Sequence, residues 1–332
     1  MLRRILNESA DDVMVLVGCL LHGGRGFAAT PPGAPPTYEE LHAALSAQPP
    51  EIAWPPGDPV RACVPVELPL LGTRTCFELR RVAPARGEVD TLLVHHHGLG
   101  ETRHTLLPRL LAACPPLRGR LDWIALKAVG HESAAQVARL ISDRTRFMWA
   151  MAASVAIAGR IAERLRARYR WIVFSGVSMG GLIALGTAAF ARPGYDAYVP
   201  IAAGPDLADV LFRSALARGY QQRFRRREER APWRWHLDLA RPLAGGTGGA
   251  PIRPLLGRYD RVFRLEPQLR AYERIRRARV AVVDRGHLTA PASVPLLARH
   301  IAAVLQELKA QAQAPPREHA GQPAGALLGS AA

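Results

Sequence analysis

The segment Gly176-Val177-Ser178-Met179-Gly180 sets a serine between two glycines where one hydrophobic periodicity gives way to another. Before it, Tyr169-Arg170-Trp171-Ile172-Val173-Phe174 is short, β-branched and aromatic, which reads as a buried strand. After it, Gly181 to Phe190 is apolar at helical spacing. A residue on so sharp a strand-to-helix turn is forced into strained backbone geometry, and its side chain stands clear of the sheet. The glycines flank it because a Cβ at either place would meet the neighbouring strand and helix. As five letters the pattern is weak; in a strand–turn–helix setting it is specific.

A serine hydroxyl is a poor nucleophile at neutral pH and needs an imidazole to take its proton. The imidazole in turn needs a carboxylate to fix its tautomer and stabilise the cation. On this kind of sheet the order expected along the chain is serine, acid, histidine. Pro251 to Leu256 is a short apolar strand leading through Gly257 to a turn that carries Asp260. Ala278 to Val283 is a further strand, with Gly286 and His287 just beyond its end. Ser178, Asp260 and His287 therefore fill the three roles, each at a strand end, where open α/β sheets place their ligands. Asp206 follows the preceding strand and is the alternative acid; Asp284 lies too near His287 in sequence to orient it. Val89 to His97 reads as a strand running into the glycine-bracketed loop Gly98-Leu99-Gly100-Glu101. The N–H of Leu99 and that of Met179, directly after the serine, are the expected oxyanion donors.

With these four motifs in order, the chain resembles the α/β-hydrolases. His97-Gly98-Leu99-Gly100-Glu101 paired with Gly176-Val177-Ser178-Met179-Gly180-Gly181 is similar to the monoacylglycerol lipase and carboxylesterase branches. The resemblance covers roughly residues 60–310. It implies an α/β-hydrolase fold: a mostly parallel central sheet with helices on both faces and a short helical cap insert. It also implies a Ser178–Asp260–His287 triad, with Leu99 and Met179 at the oxyanion hole and no metal or organic cofactor. The reaction expected is cleavage of a carboxylic ester through an acyl-serine intermediate. A thioesterase, an acyltransferase or a peptidase on the same triad stays open as an alternative. So does a non-catalytic protein on this fold that binds an anionic partner. Two features depart from the closest branches: the triplet His95-His96-His97, and an arginine-rich segment where the cap should lie.

The triplet is not read as a metal site, because consecutive strand residues point to alternate faces and three cannot converge on one ion. A structural role is expected for it. The formal net charge is +16, which raises nucleic acid or an anionic surface as a partner. Yet only Lys127 and Lys309 among the 44 basic residues are lysine, and Ala, Gly and Pro are abundant, as a GC-rich genome would produce. Arg223, Arg225, Arg226, Arg227, Arg230 and Arg234 face only Glu228 and Glu229, and read as a solvated helix face. A small-molecule ester is the expected partner rather than nucleic acid.

The chain reads as an N-terminal appendage (1–60), a catalytic domain (61–313) holding a cap insert (205–250), and a disordered tail (314–332). The appendage contains a helix from Leu2, a Pro/Gly-rich stretch from Thr30 to Pro36 and a second helix from Thr37, with Glu39 and Glu40 in its first turn. His22-Gly23-Gly24 mimics an oxyanion motif but follows no strand. No run reaches membrane-spanning length. The run Val13–Leu21 after Arg3 and Arg4 reads as a short helix, since Asp11 and Asp12 precede it and no clean cleavage site follows; secretion is the lesser reading. Cys19, Cys63, Cys76 and Cys114 lack metal-like spacing and read as free thiols, which fits a cytoplasmic setting.

Overall fold

The computed structural model describes residues 2–21, 36–57, 60–81, 89–101, 103–191, 194–215, 237–245 and 249–313. These form a nine-stranded sheet in the order β1-β2-β3-β5-β4-β6-β7-β8-β9. The opening strands β1 (Glu51–Ile52), β2 (Arg61–Leu68) and β3 (Thr73–Arg80) are antiparallel. From β5 onward the sheet is parallel: β4 (Thr91–His96), β5 (Asp122–Leu126), β6 (Trp171–Val177), β7 (Ala197–Ile201), β8 (Leu255–Gly257) and β9 (Ala281–Val283). Burial on both faces explains why the central strands read as unbroken apolar runs rather than as alternating ones.

The period of two along each strand divides the core. Leu92 and Val94 of β4, with Ile172 and Phe174 of β6, face one layer of helices. That layer includes α2 (Tyr38–Ala47), α4 (Ala134–Ser142), α5 (Arg144–Leu165) and α6 (Met179–Phe190). Leu93 and Val173 face the other layer, built on α3 (Leu106–Ala113) and the C-terminal helix Val294–Gln313. Helix α2 begins with a capping box: Thr37 Oγ1 accepts from the Glu40 N–H, and Glu40 Oε2 accepts from the Thr37 N–H. The helical stretch Ala134–Leu165 is in two pieces. Asp143 breaks it, ending α4 in an extended conformation while its carboxylate caps the amides of Thr145 and Arg146.

Strand β4 lies between β5 and β6, so the chain leaves β4 toward β5 on one side and returns to β6 on the other. This switch opens a crevice beyond the carboxyl ends of β4 and β6. The loop His97–Glu101 and Ser178 meet there. In the insert, the described residues form the short helices α7 (Leu207–Arg213) and α8 (Ala240–Ala244). The arginine-rich run Arg223–Arg234, the His22-Gly23-Gly24 motif and the tail 314–332 lie outside the described residues. Helix α1 (Leu2–Leu21) reaches the loops that follow β8 and β9. No described helix is long and apolar enough to cross a membrane.

Candidate active site

Ser178 has φ +53° and ψ −113°, the strained conformation expected of a residue between a strand and a helix that double back on each other. Its N–H donates to the Ile201 carbonyl at 2.9 Å, and its own carbonyl accepts from the Leu182 N–H at 3.1 Å. The turn is thus fixed both to β7 and to α6. A Cβ on Gly176 would collide with the backbone of Gly180, one on Gly180 with the carbonyls of His96 and His97, and one on Gly181 with the Ala203 side chain. The glycines are required by the close crossing of β4, β6 and α6.

Ser178 Oγ lies 3.0 Å from His287 Nε2, and His287 Nδ1 lies 2.9 Å from Asp260 Oδ2. The other oxygen, Asp260 Oδ1, accepts from the backbone N–H groups of Val262 (2.8 Å) and Phe263 (2.7 Å), so the carboxylate is held by its own turn. The Phe263 ring stacks on the imidazole at 5.6 Å between centroids. Burial opposes a charge on His287, but the Asp260 carboxylate bonded to it, with Asp11 nearby, raises its pKa above the ordinary imidazole value.

The other two acids considered are used elsewhere. Asp206 caps α7 by accepting from the Asp209 N–H at 2.8 Å. Asp284 pairs with Arg258 at the surface.

Gly98 approaches the serine closely: a Cβ on it would stand 3.7 Å from that of Ser178. Four hydrogen bonds shape this loop. Glu101 Oε2 accepts from the Gly98 N–H at 3.4 Å, and the Glu101 N–H donates to the Gly98 carbonyl at 3.3 Å. His97 Nε2 accepts from the Ala128 N–H at 2.9 Å, so Nδ1 carries the proton and donates to the Gly98 carbonyl at 2.7 Å. Met179 opens α6, and the first amides of a helix have no intrahelical acceptor. Leu99, in the turn after Gly98, lines the cavity in front of Ser178.

Strand β4 ends at His96, so the alternation expected across the triplet stops there. The His97 ring turns back to stack on His96 at 4.9 Å and packs edge-on against His131 at 4.9 Å. His95 Nδ1 pairs with Ser175 Oγ, and His96 contacts the His97 carbonyl and Ser154 Oγ. Burial lowers the pKa of His95 and His131 to about 4 and that of His96 to about 3. Among the described residues no group of three His, Cys, Asp or Glu side chains is arranged to hold a metal ion.

A cavity of about 360 Å³ opens beside Ser178 and His287. Its walls are mostly apolar, with Leu99, Leu106, Leu110, Leu288 and Val294 among them, and Glu101 is the one carboxylate among the described residues that line it. Helix α1 contributes Met14. Met14, Phe263 and the Asn7–Asp11 pair of α1 were not legible as site residues, because each lies outside any motif and reaches the site only through the fold.

No protein-family model matches the chain, and neither does any curated protein. Solved structures do. The acetyl xylan esterase from Paenibacillus sp. R4 superposes with a TM-score of 0.59 at 15% identity, covering 85% of this chain and 96% of that one. Acetyl Xylan Esterase 1 from Thermoanaerobacterium sp. JW/SL YS485 gives 0.57 at 15%, covering 86% and 97%. A dienelactone hydrolase from Anabaena variabilis ATCC 29413 gives 0.53 at 16%, covering 76% and 99%. At these identities the likeness is one of fold. The fold of this chain is the α/β-hydrolase fold.

Two outcomes follow. Gly180→Ala must separate α6 from β4, and circular dichroism melts should show it destabilised by ~3 kcal/mol, the upper end of the usual cost of overpacking a core. The second concerns acid. The unfolded chain protonates His95, His96 and His131 near pH 6.5, whereas the folded chain resists until about 4, 3 and 4. Their stabilising contribution is therefore complete above about pH 6.5 and is lost as pH falls toward 4. Urea unfolding at about pH 5.5 should show a loss on the order of 1 kcal/mol per histidine relative to pH 7.5.

Proposed function

We propose that this chain is a serine hydrolase that cleaves a carboxylic ester through an acyl-serine intermediate. The observation that carries the reading is the hydrogen-bonded series Ser178 Oγ–His287 Nε2–His287 Nδ1–Asp260 Oδ2, with its serine on a strained turn facing an apolar cavity. Ser178 Oγ attacks the ester carbonyl while its proton passes to His287 Nε2. Asp260 holds the imidazole in the tautomer that can accept it and stabilises the imidazolium. The N–H groups of Leu99 and Met179 receive the oxyanion, with the start of α6 adding its positive dipole end. His287 then protonates the departing alcohol. Water, activated by the same imidazole, releases the acid.

The apolar wall favours a short-to-medium acyl chain over a purely polar substrate. The acetyl esters named for two of the similar structures fall within that class. Free Cys63, Cys76 and Cys114 accord with action in the reducing cytoplasm.

A fluorophosphonate probe should label the wild type and not Ser178→Ala, and hydrolysis of p-nitrophenyl esters should vanish in the same variant. A folded wild type inert to both would overturn the reading. Along the ester series, each methylene that enters the cavity is worth ~0.8 kcal/mol, or about fourfold in kcat/KM, until the space is full. A flat or falling series from acetyl onward would assign the apolar wall to the alcohol side. Because the base must be neutral, kcat/KM should fall on acidification with an apparent pKa above about 6.5.

A further inference from the structure

The loop that carries His287 is held mainly by a helix from the other end of the chain. Gly286, His287 and Leu288 lead into the short helix Thr289–Ala292, and their N–H groups lie ahead of its hydrogen-bond ladder. Helix α1 supplies acceptors for all three. Asn7 Oδ1 accepts from the Gly286 N–H at 3.0 Å, which Thr289 Oγ1 shares at 2.8 Å. Asp11 Oδ2 accepts from the His287 N–H at 2.7 Å, and Asp11 Oδ1 from the Leu288 N–H at 3.0 Å. Asp11 Oδ2 also accepts from the Arg261 N–H at 3.1 Å, on the loop that bears Asp260. One carboxylate thus ties the loop of the acid to the loop of the base.

Two further observations set this apart from a chance contact. Gly286 has no side chain where α1 docks; a Cβ there would stand 2.9 Å from both the Asn7 carbonyl oxygen and Asp11 Oδ2. Asp11 is also fully buried, where an ionised carboxylate is costly. It has backbone N–H groups as partners, while the nearby Arg261 guanidinium pairs instead with Glu8 and Asp12 on the same helix. The groups facing Asp11 are therefore His287 and Asp260 from the two loops, together with Arg261, Glu8 and Asp12.

We infer that Asp11 is a positioning residue for His287, and that α1 is an integral part of the active site. The inference rests on the hydrolase reading above. Burial pushes the Asp11 pKa up, and the three backbone N–H donors act against that by favouring the carboxylate form; the carboxylate fixes the imidazole through its backbone and places a second negative charge near the cation formed during proton transfer. That charge acts in the same direction as Asp260 on the titration of His287.

The test compares wild type, Asp11→Asn and Asp11→Glu by three readouts: ester kinetics across pH, the rate of fluorophosphonate labelling, and NMR titration of the His287 imidazole, assigned by its loss in His287→Gln. Asp11→Asn removes the charge at nearly constant size. It should lower kcat and the labelling rate by about 10²-fold, with KM little changed, and move both the acid limb and the His287 titration to lower pH. Asp11→Glu keeps the charge but displaces the acceptor oxygens. It should hold the His287 titration near the wild-type value while losing kcat. Wild-type rates and an unmoved titration in Asp11→Asn would overturn the inference, as would two variants that fail to fold, which would make Asp11 a structural clip. A wild type that neither labels nor hydrolyses defeats the hydrolase reading alone, since the NMR titration of Asp11→Asn still decides whether α1 acts on His287.

Discussion

The contact between the backbone of Gly180 and the carbonyls of His96 and His97 is the constraint on which the site depends. It brings the first turn of α6 against the end of β4, leaving no room for a Cβ. The serine, the loop after β4 and the positive end of the helix are thereby assembled within one small volume. Holding Ser178 at positive φ costs ~1–3 kcal/mol. Helix α6 offsets that strain by being buried on every side: its residues from Met179 to Ala188 are all inaccessible, and each large apolar side chain is worth ~1.5–3 kcal/mol. A helix apolar all round cannot rotate or withdraw without exposing its surface on some face. The strained residue therefore has no lower-energy alternative within the fold.

Electrostatics separates one histidine from the others. His95, His96, His131 and His287 are all buried. Burial alone favours the neutral ring, and the first three accordingly titrate far below the ordinary range. They serve as neutral hydrogen-bonding rings around the end of β4, with His97 bracing the Gly98 carbonyl. His287 is shifted in the opposite direction because two carboxylates accompany it. Where the acids sit, rather than where the imidazoles sit, decides which ring has its pKa raised, and that ring is the one bonded to Ser178.

The sheet and the elbow were legible because both depend on local pattern. Apolar runs, strand ends and the glycines around Ser178 are properties of short segments, and the order serine, acid, histidine adds the remaining order along the chain. The choice between Asp206 and Asp260 was less accessible, since both follow strands. The two differ in space: the Asp206 carboxylate turns back to cap α7, while the Asp260 turn presents one oxygen to its own amides and the other to His287. The break at Asp143 was hidden because the flanking residues favour helix, and only the capping of Thr145 and Arg146 reveals why the chain stops and restarts. The contact of α1 with these loops left no mark at all. Asp11 reads as one of two acidic residues ahead of an apolar run, and its contact to His287 spans 276 positions.

Asn7 and Asp11 show what is gained by a charge at this place. Both accept N–H groups from the same loop, and for merely holding a backbone the neutral amide oxygen of Asn7 suffices. A second amide at position 11 would avoid the desolvation that pushes the Asp11 pKa upward. An amide, however, offers one acceptor oxygen, whereas the carboxylate engages three amides from two loops with both of its oxygens. It also carries a field that a neutral group lacks. The loops that carry Asp260 and His287 are separate excursions from β8 and β9, and the proton transfer proposed above would need the distance between them fixed to a fraction of an ångström, which the sheet alone does not do. Binding both to one rigid helix does. On the positioning inferred for Asp11, the order of the N-terminal helix and the geometry of His287 are parts of a single equilibrium, and a loss in one lowers the population of the other.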